Sequence, residues 1–244
     1  MEIRICKDRY ELGKSAALYT AQLINNAIAE KGFARIVLST GASQFDTLAS
    51  LIEQDVDWSC VEMFHLDEYV NLPESHPASF RKYLKEKFTT KVNLKAAYFV
   101  DGTEENLKYL SGKINEHPID VGLIGIGENA HIAFNDPPAD FDTENPYIVV
   151  NLNDTCKKQQ VGEGWFETVD DVPKQAVSMS VKQIMKCKKI VSCVPYKVKA
   201  EAVLNTLKTE LTNTVPATML KTHPDFTLYI DADSASLLSL PVIW

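Results

Sequence analysis

The apolar run Val121-Gly122-Leu123-Ile124 passes without a break into Gly125-Ile126-Gly127-Glu128-Asn129-Ala130-His131-Ile132-Ala133-Phe134-Asn135-Asp136. A short, wholly apolar segment bounded by glycines reads as a strand covered on both faces, the situation of a parallel sheet flanked by helices. Open sheets of that kind present their chemistry on the loops that leave the carboxyl ends of the strands. His131 and Asp136, five residues apart on such a loop, make it the expected active-site loop.

The rest of the chain repeats the pattern. Residues 1–6 read as a short strand. Ala17, Ala21, Ile24 and Ile28 recur at helical spacing over residues 9–31, and Gly32 ends that helix. Arg35–Leu38 reads as a second strand, Ser39-Thr40-Gly41-Ala42-Ser43 as its exit loop, and Phe45, Leu48 and Ile52 as the next helix. A strand, a loop of small residues and a helix start together offer unpaired N–H groups to an anion. The loop lacks the spacing and the lysine of an ATP-binding P-loop.

Further strands are expected at residues 60–64, 147–152, 189–194 and 226–230, and helices at about 78–88, from Thr103, at 154–160, at 178–186 and after Lys197. Asp67 and Glu68 follow the strand at 60–64 and lie at the lip of a proline-containing loop. Lys197 falls at a helix start, where the helix dipole disfavours a cation, so a bound anion is its expected partner. Residues 137–146, rich in proline and acid, are expected to be irregular and to act as a lid. The expected fold is α/β: a single open, mostly parallel sheet with helices on both faces, in one domain spanning residues 1–244.

Composition narrows the function. The net charge of −8, with no basic run, disfavours nucleic acid as a partner. No segment approaches the roughly 18 apolar residues of a membrane span, and the N-terminus has no signal architecture, so a cytoplasmic protein is expected. The five cysteines, Cys6, Cys60, Cys156, Cys187 and Cys193, include no CxxC pair, so neither a disulfide framework nor a zinc site is expected.

Taken together and in order, Ser39–Ser43, Leu66-Asp67-Glu68-Tyr69-Val70 with Leu72-Pro73 and His76-Pro77, Gly125–Pro137, Val172-Pro173, Lys197 and Val215-Pro216-Ala217 resemble the glucosamine-6-phosphate deaminase/isomerase family, which is related to 6-phosphogluconolactonases. The resemblance covers nearly the whole chain. It implies conversion of an amino-hexose 6-phosphate to the ketose phosphate and ammonia, without cofactor or metal. Carried over by motif, Thr40, Gly41, Ala42, Ser43 and Lys197 hold the phosphate, Asp67 moves the proton in enolisation, and His131 opens the sugar ring with the support of Asp136.

Three positions depart from the family pattern. Asn129 stands where the family has an aspartate, and an amide accepts a hydrogen bond from imidazole without supplying charge. Asp136 is one methylene shorter than the family's glutamate. Near residue 160, where a phosphate-binding arginine is expected, the chain has Gln159 and Gln160. Three other readings of the sequence stand beside the first: a deaminase for the galacto epimer, a lactonase-like hydrolase, and a non-catalytic sugar-phosphate sensor. The basic residues of the family's effector site are missing from residues 139–150, so no regulation of that type is expected. Whether the chain is a monomer or a homo-oligomer is left open.

Overall fold

The computed structural model describes residues 1–162 and 164–239. Among these residues, ten strands and seven α-helices follow one another: β1 (Glu2–Cys6), α1 (Arg9–Lys31), β2 (Ala34–Leu38), α2 (Phe45–Leu51), β3 (Val61–His65), β4 (Asp67–Tyr69), α3 (Phe80–Leu84), β5 (Ala96–Tyr98), α4 (Glu104–Glu116), β6 (Val121–Leu123), β7 (Tyr147–Asn151), α5 (Asp154–Gly162), β8 (Gln175–Met179), α6 (Val181–Met185), β9 (Lys189–Val194), α7 (Ala200–Lys208) and β10 (Phe226–Asp231).

Seven of the strands form one sheet in the order β1-β10-β9-β6-β2-β3-β5, and every pairing in it is parallel. Alternate residues of each strand serve opposite faces. Ile36 and Leu38 of β2, with Val191 and Cys193 of β9, pack beneath Leu12, Ala16, Ile24 and Leu48 of α1 and α2. Val37 and Ile190 face the other way, toward Leu110, Ile114, Ile184 and Val203 of α4, α6 and α7. This is the expected open α/β sheet with helices on both faces.

Local chemistry sets the helix ends where the sequence placed them. Asp8 accepts hydrogen bonds from the backbone N–H groups of Tyr10 and Glu11, and Gly32, at φ 83°, returns its N–H to Ile28 to close α1. Thr103 caps α4 through the N–H of Asn106.

A second, antiparallel sheet of three strands, β4-β8-β7, stands apart from the first. Residues 147–152 were expected to be a strand, but their partner is β8, whose last two residues, Ser178 and Met179, were expected to begin a helix. That helix starts three residues later, at Val181, where Ser180 caps it through the N–H of Gln183. Ser178 is drawn into β8 by contacts distant in sequence: its hydroxyl accepts hydrogen bonds from Phe134 N–H and Asn135 Nδ2, both at 3.1 Å. Residues 137–146 are irregular as expected, and are tied down by Ala139 N–H to Asn213 O at 2.9 Å and Ser180 N–H to Pro146 O at 2.9 Å. No helix among the described residues is long and apolar enough to cross a membrane.

Arg35, fully buried in β2, caps α4 from outside it. Its guanidinium donates to the carbonyls of Lys113, Ile114 and His117 and pairs with Glu62 at 3.1 Å. Those carbonyls are the ones that a helix C-terminus leaves unsatisfied. Arg35→Met leaves the carbonyls of Lys113, Ile114 and His117 without their donor and Glu62 with Lys95 alone, at 3.1 Å, so a loss of about 3 kcal/mol or more in unfolding free energy is expected by denaturant titration; a loss below about 1 kcal/mol would contradict the role.

Candidate active site

Because the main sheet is parallel, the carboxyl ends of β2, β3, β6 and β9 share one edge. From β2 the chain first builds outward through β3 and β5, then returns to lay β6 on the other side of β2. That reversal opens a crevice between the loops following β2 and β6. The two loops are joined at its floor: Ser39 N–H donates to Leu123 O at 3.0 Å, and Gly125 N–H donates to the Ser39 hydroxyl at 3.1 Å. Gln44 adds a bond from its side chain to Cys193 O on β9, at 3.1 Å.

A cleft at this edge is lined by Ser39, Thr40, Gly41, Ala42, Ser43, Leu66, Asp67, Phe80, Gly125–Glu128, His131, Ala133, Phe134, Gln159, Gln160, Tyr196, Val198 and Lys199. Four of the five residues expected at the phosphate, Thr40 to Ser43, thus share one cavity with Asp67 and His131. Lys197 does not line it. It begins a 3-10 turn (Lys197–Lys199) and is exposed, whereas Lys199, two residues on, is 7% exposed and faces the cleft wall. Of the two lysines it is therefore Lys199 that lines the cleft, and the phase of one short turn decides between them.

Asp67, 6% exposed, leads strand β4. Burial, reinforced by the neighbouring Glu68, pushes its carboxyl up to about 8. Glu68 points to the other side of the strand and accepts hydrogen bonds from Arg81 N–H (2.8 Å), the Ser79 hydroxyl (2.9 Å) and Phe80 N–H (3.3 Å) around the start of α3. One of the paired carboxylates is thus structural and the other faces the cleft. His65, two residues before Asp67, is sealed against Phe99, and burial holds it down to about 3.

The β6 loop turns tightly to present His131. Ala130 and Ala133 adopt left-handed conformations (φ 62° and 52°), and Gly127 N–H donates to His131 O at 2.9 Å. A Cβ on Gly127 would overlap the imidazole, so a side chain there would displace His131 from its position. Non-glycine residues in this region of φ are costly and gather at functional loops. Ala217 N–H to Ala130 O, at 2.9 Å, pins the turn from outside.

Asn129 and Asp136 converge on the same imidazole nitrogen. His131 Nδ1 lies 2.5 Å from Asn129 Oδ1 and 3.2 Å from Asp136 Oδ1. Asn129 Nδ2 donates to Asp136 Oδ1 at 3.2 Å, which fixes the amide with its oxygen toward the ring. Two acceptors at Nδ1 place the ring proton there and leave Nε2 as the basic nitrogen. Burial pushes Asp136 up, but hydrogen bonds and charge from His131, with Asn129 and the Cys156 thiol, outweigh it and hold the carboxyl below its ordinary value. Asp136 does not line the cleft; its contact there is with His131, which does.

Residues 7–228 match the family model of glucosamine-6-phosphate isomerases/6-phosphogluconolactonase. The chain belongs to that family. It is 34% identical to a glucosamine-6-phosphate deaminase of Thermoanaerobacter pseudethanolicus, over 98% of this chain and 95% of the relative. With the glucosamine-6-phosphate deaminase of Staphylococcus epidermidis it shares 37% identity over 90% and 94%. A solved structure of a monomeric glucosamine-6-phosphate deaminase superposes with a TM-score of 0.89 at 29% identity, covering 97% of this chain and all of the other. The 6-phosphogluconolactonase of Leishmania guyanensis, at 18% identity, 98% and 99% coverage and a TM-score of 0.78, shares the fold.

The raised Asp67 carboxyl has a consequence for stability. The folded chain holds this proton more tightly than the unfolded chain, whose carboxyl keeps its ordinary value of 3.8. The associated stabilisation is complete below pH 4 and is lost as the pH rises through about 8. Asp67→Asn, which never ionises, should match the parent near pH 4 and melt higher at pH 8–9. The gap should grow by at most about 1.4 kcal/mol per pH unit between. Thermal scans at pH 4, 6 and 8 measure it, and a gap that shrinks toward alkaline pH would refute it.

Proposed function

We propose that the protein converts glucosamine-6-phosphate and water to fructose-6-phosphate and ammonia. The observation that supports this reading best is the sharing of one cleft by Asp67, His131, the Ser39–Ser43 loop and Lys199. The loop and Lys199 hold the 6-phosphate, the loop through N–H groups near a helix start and Lys199 as a point charge.

With its proton kept on Nδ1, His131 uses Nε2 to take the proton of the C1 hydroxyl and return it to the ring oxygen, which opens the ring to the aldehyde. Asn129 and Asp136 keep the imidazole in that tautomer. Only in the open form does the C2 proton lie beside a carbonyl. Asp67 removes it, the electrons move into a C1–C2 double bond while O1 takes a proton from the C2 ammonium, and Asp67 returns its own proton to C1. The resulting C2 iminium takes up water, and the carbinolamine expels ammonia to leave the ketone. Every step uses a side chain or water. A buried carboxyl with a raised proton affinity suits the carbon-to-carbon transfer, and an ammonium on C2 favours its ionised form when the substrate is bound.

A monomer in the cytoplasm completes the proposal. The monomeric relative of the same fold supports the first part, and the soluble sugar-phosphate substrate supports the second.

Ammonia release measured with glucosamine-6-phosphate and with galactosamine-6-phosphate decides the activity: faster release from the gluco epimer is expected, and none from either would sink the proposal. Asp67→Asn should lower kcat by about 10²- to 10⁴-fold. Lys199→Met should raise KM by tenfold or more, whereas Lys197→Met should leave both constants within about twofold.

A further inference from the structure

Gln160 lines the cleft from α5, nearly buried at 5% exposure. Its amide has one side-chain partner: the Tyr69 hydroxyl donates to Oε1 at 2.7 Å. With the oxygen so engaged, Nε2 is the free end of the group, and no acceptor for it is found among the described residues. Nor is that nitrogen among the polar atoms sealed in the core. An amide nitrogen carries two N–H donors and accepts nothing, so what it offers the cleft is a hydrogen bond to an oxygen.

Tyr69 is well placed to hold that orientation. Its ring is clamped by Phe80, Phe134 and Phe166 at centroid distances of 5.2–5.5 Å. It also stands two residues from Asp67 on β4, so the two side chains leave the strand on the same face. The cleft carboxyl and the anchor of Gln160 are thus carried by one three-residue strand.

We infer that Gln160 is a substrate-binding residue, whose Nε2 donates a hydrogen bond to an oxygen of the sugar phosphate that Asp67 acts on, and that Tyr69 is its positioning residue. The inference rests on the sugar-phosphate reading of the cleft. Its chemistry differs from that of a basic side chain: a neutral donor recognises an oxygen without adding positive charge. A cation beside Asp67 would favour the ionised carboxyl and make it a weaker base; the amide leaves its proton affinity raised.

Titration calorimetry with fructose 6-phosphate and with inorganic phosphate tests this directly. Gln160→Leu, which keeps bulk and loses the donor, should weaken fructose 6-phosphate binding about tenfold or more, and Gln160→Glu should weaken it further. Tyr69→Phe, which frees the amide to turn over, should weaken binding by less than Gln160→Leu and raise KM more than it lowers kcat. A parallel loss for inorganic phosphate identifies the phosphate as the acceptor; a loss confined to the sugar phosphate identifies a hydroxyl. Binding by Gln160→Leu within twofold of the parent overturns the inference, and should that variant not fold, the same criterion applies to Gln160→Glu. Because binding is read without turnover, a parent protein that binds fructose 6-phosphate but releases no ammonia would overturn the deaminase proposal and leave this test standing.

Discussion

Three residues of extended chain, Asp67-Glu68-Tyr69, tie the cleft together through the alternation that any strand imposes. Asp67 and Tyr69 leave on one face and Glu68 on the other. The first brings a carboxyl to the cavity, the second grips Gln160 of α5 through a 2.7 Å hydrogen bond, and the third gathers the N–H groups at the start of α3. Pairing with β8 holds the strand in that register, and a slip of one residue would turn Glu68 into the cleft and Asp67 toward a helix start. Strand β8 also carries Ser178, whose hydroxyl takes the N–H groups of Phe134 and Asn135 from the histidine loop. The small antiparallel sheet therefore sets the position of the acid and of the loop bearing His131 at once.

Around this frame, buried polar groups differ according to whether they are satisfied. Glu68 is surrounded by donors, and Arg35 meets three carbonyls and a carboxylate. Both are structural. Asp67 is buried with no such compensation, and its neighbour Glu68 raises its proton affinity further. Asp136 lies between the extremes: buried, yet held ionised by the imidazole that it orients. A shortened carboxylate and an amide in place of a second one still meet at Nδ1, because the turn through Ala130 and Ala133 brings the backbone of the loop close to the ring.

Much of the fold is legible in the letters because it rests on chemistry acting over a few residues. Asp8 and Gly32 mark the ends of α1, Thr103 marks the start of α4, and the apolar runs at β2, β6 and β9 mark a sheet covered on both sides. Ser178 and Met179 were misread for the converse reason: nothing local distinguishes strand from helix there, and pairing with β4 and β7 decides it. The lysines at 197 and 199 are equivalent in sequence and separate only through the phase of a 3-10 turn. Gln160, read from the sequence as the place of a missing positive charge, becomes an oriented donor once Tyr69 is seen to hold its oxygen.

The sequence by itself determined the parallel α/β sheet, the two loops that bound its crevice, and the residue types there capable of acid–base chemistry and anion binding. Those follow from periodicity, capping and glycine placement, which act between near neighbours. Only the tertiary structure decided which of the two paired carboxylates faces the cleft, which lysine reaches it, and that Asn129 and Asp136 share one imidazole nitrogen. It also decided which end of the Gln160 amide is free, through a bond between residues 91 positions apart. Burial and hydrogen-bond partnership are properties of the assembled surroundings, and the groups that supply them come from elements that meet only when the chain has folded.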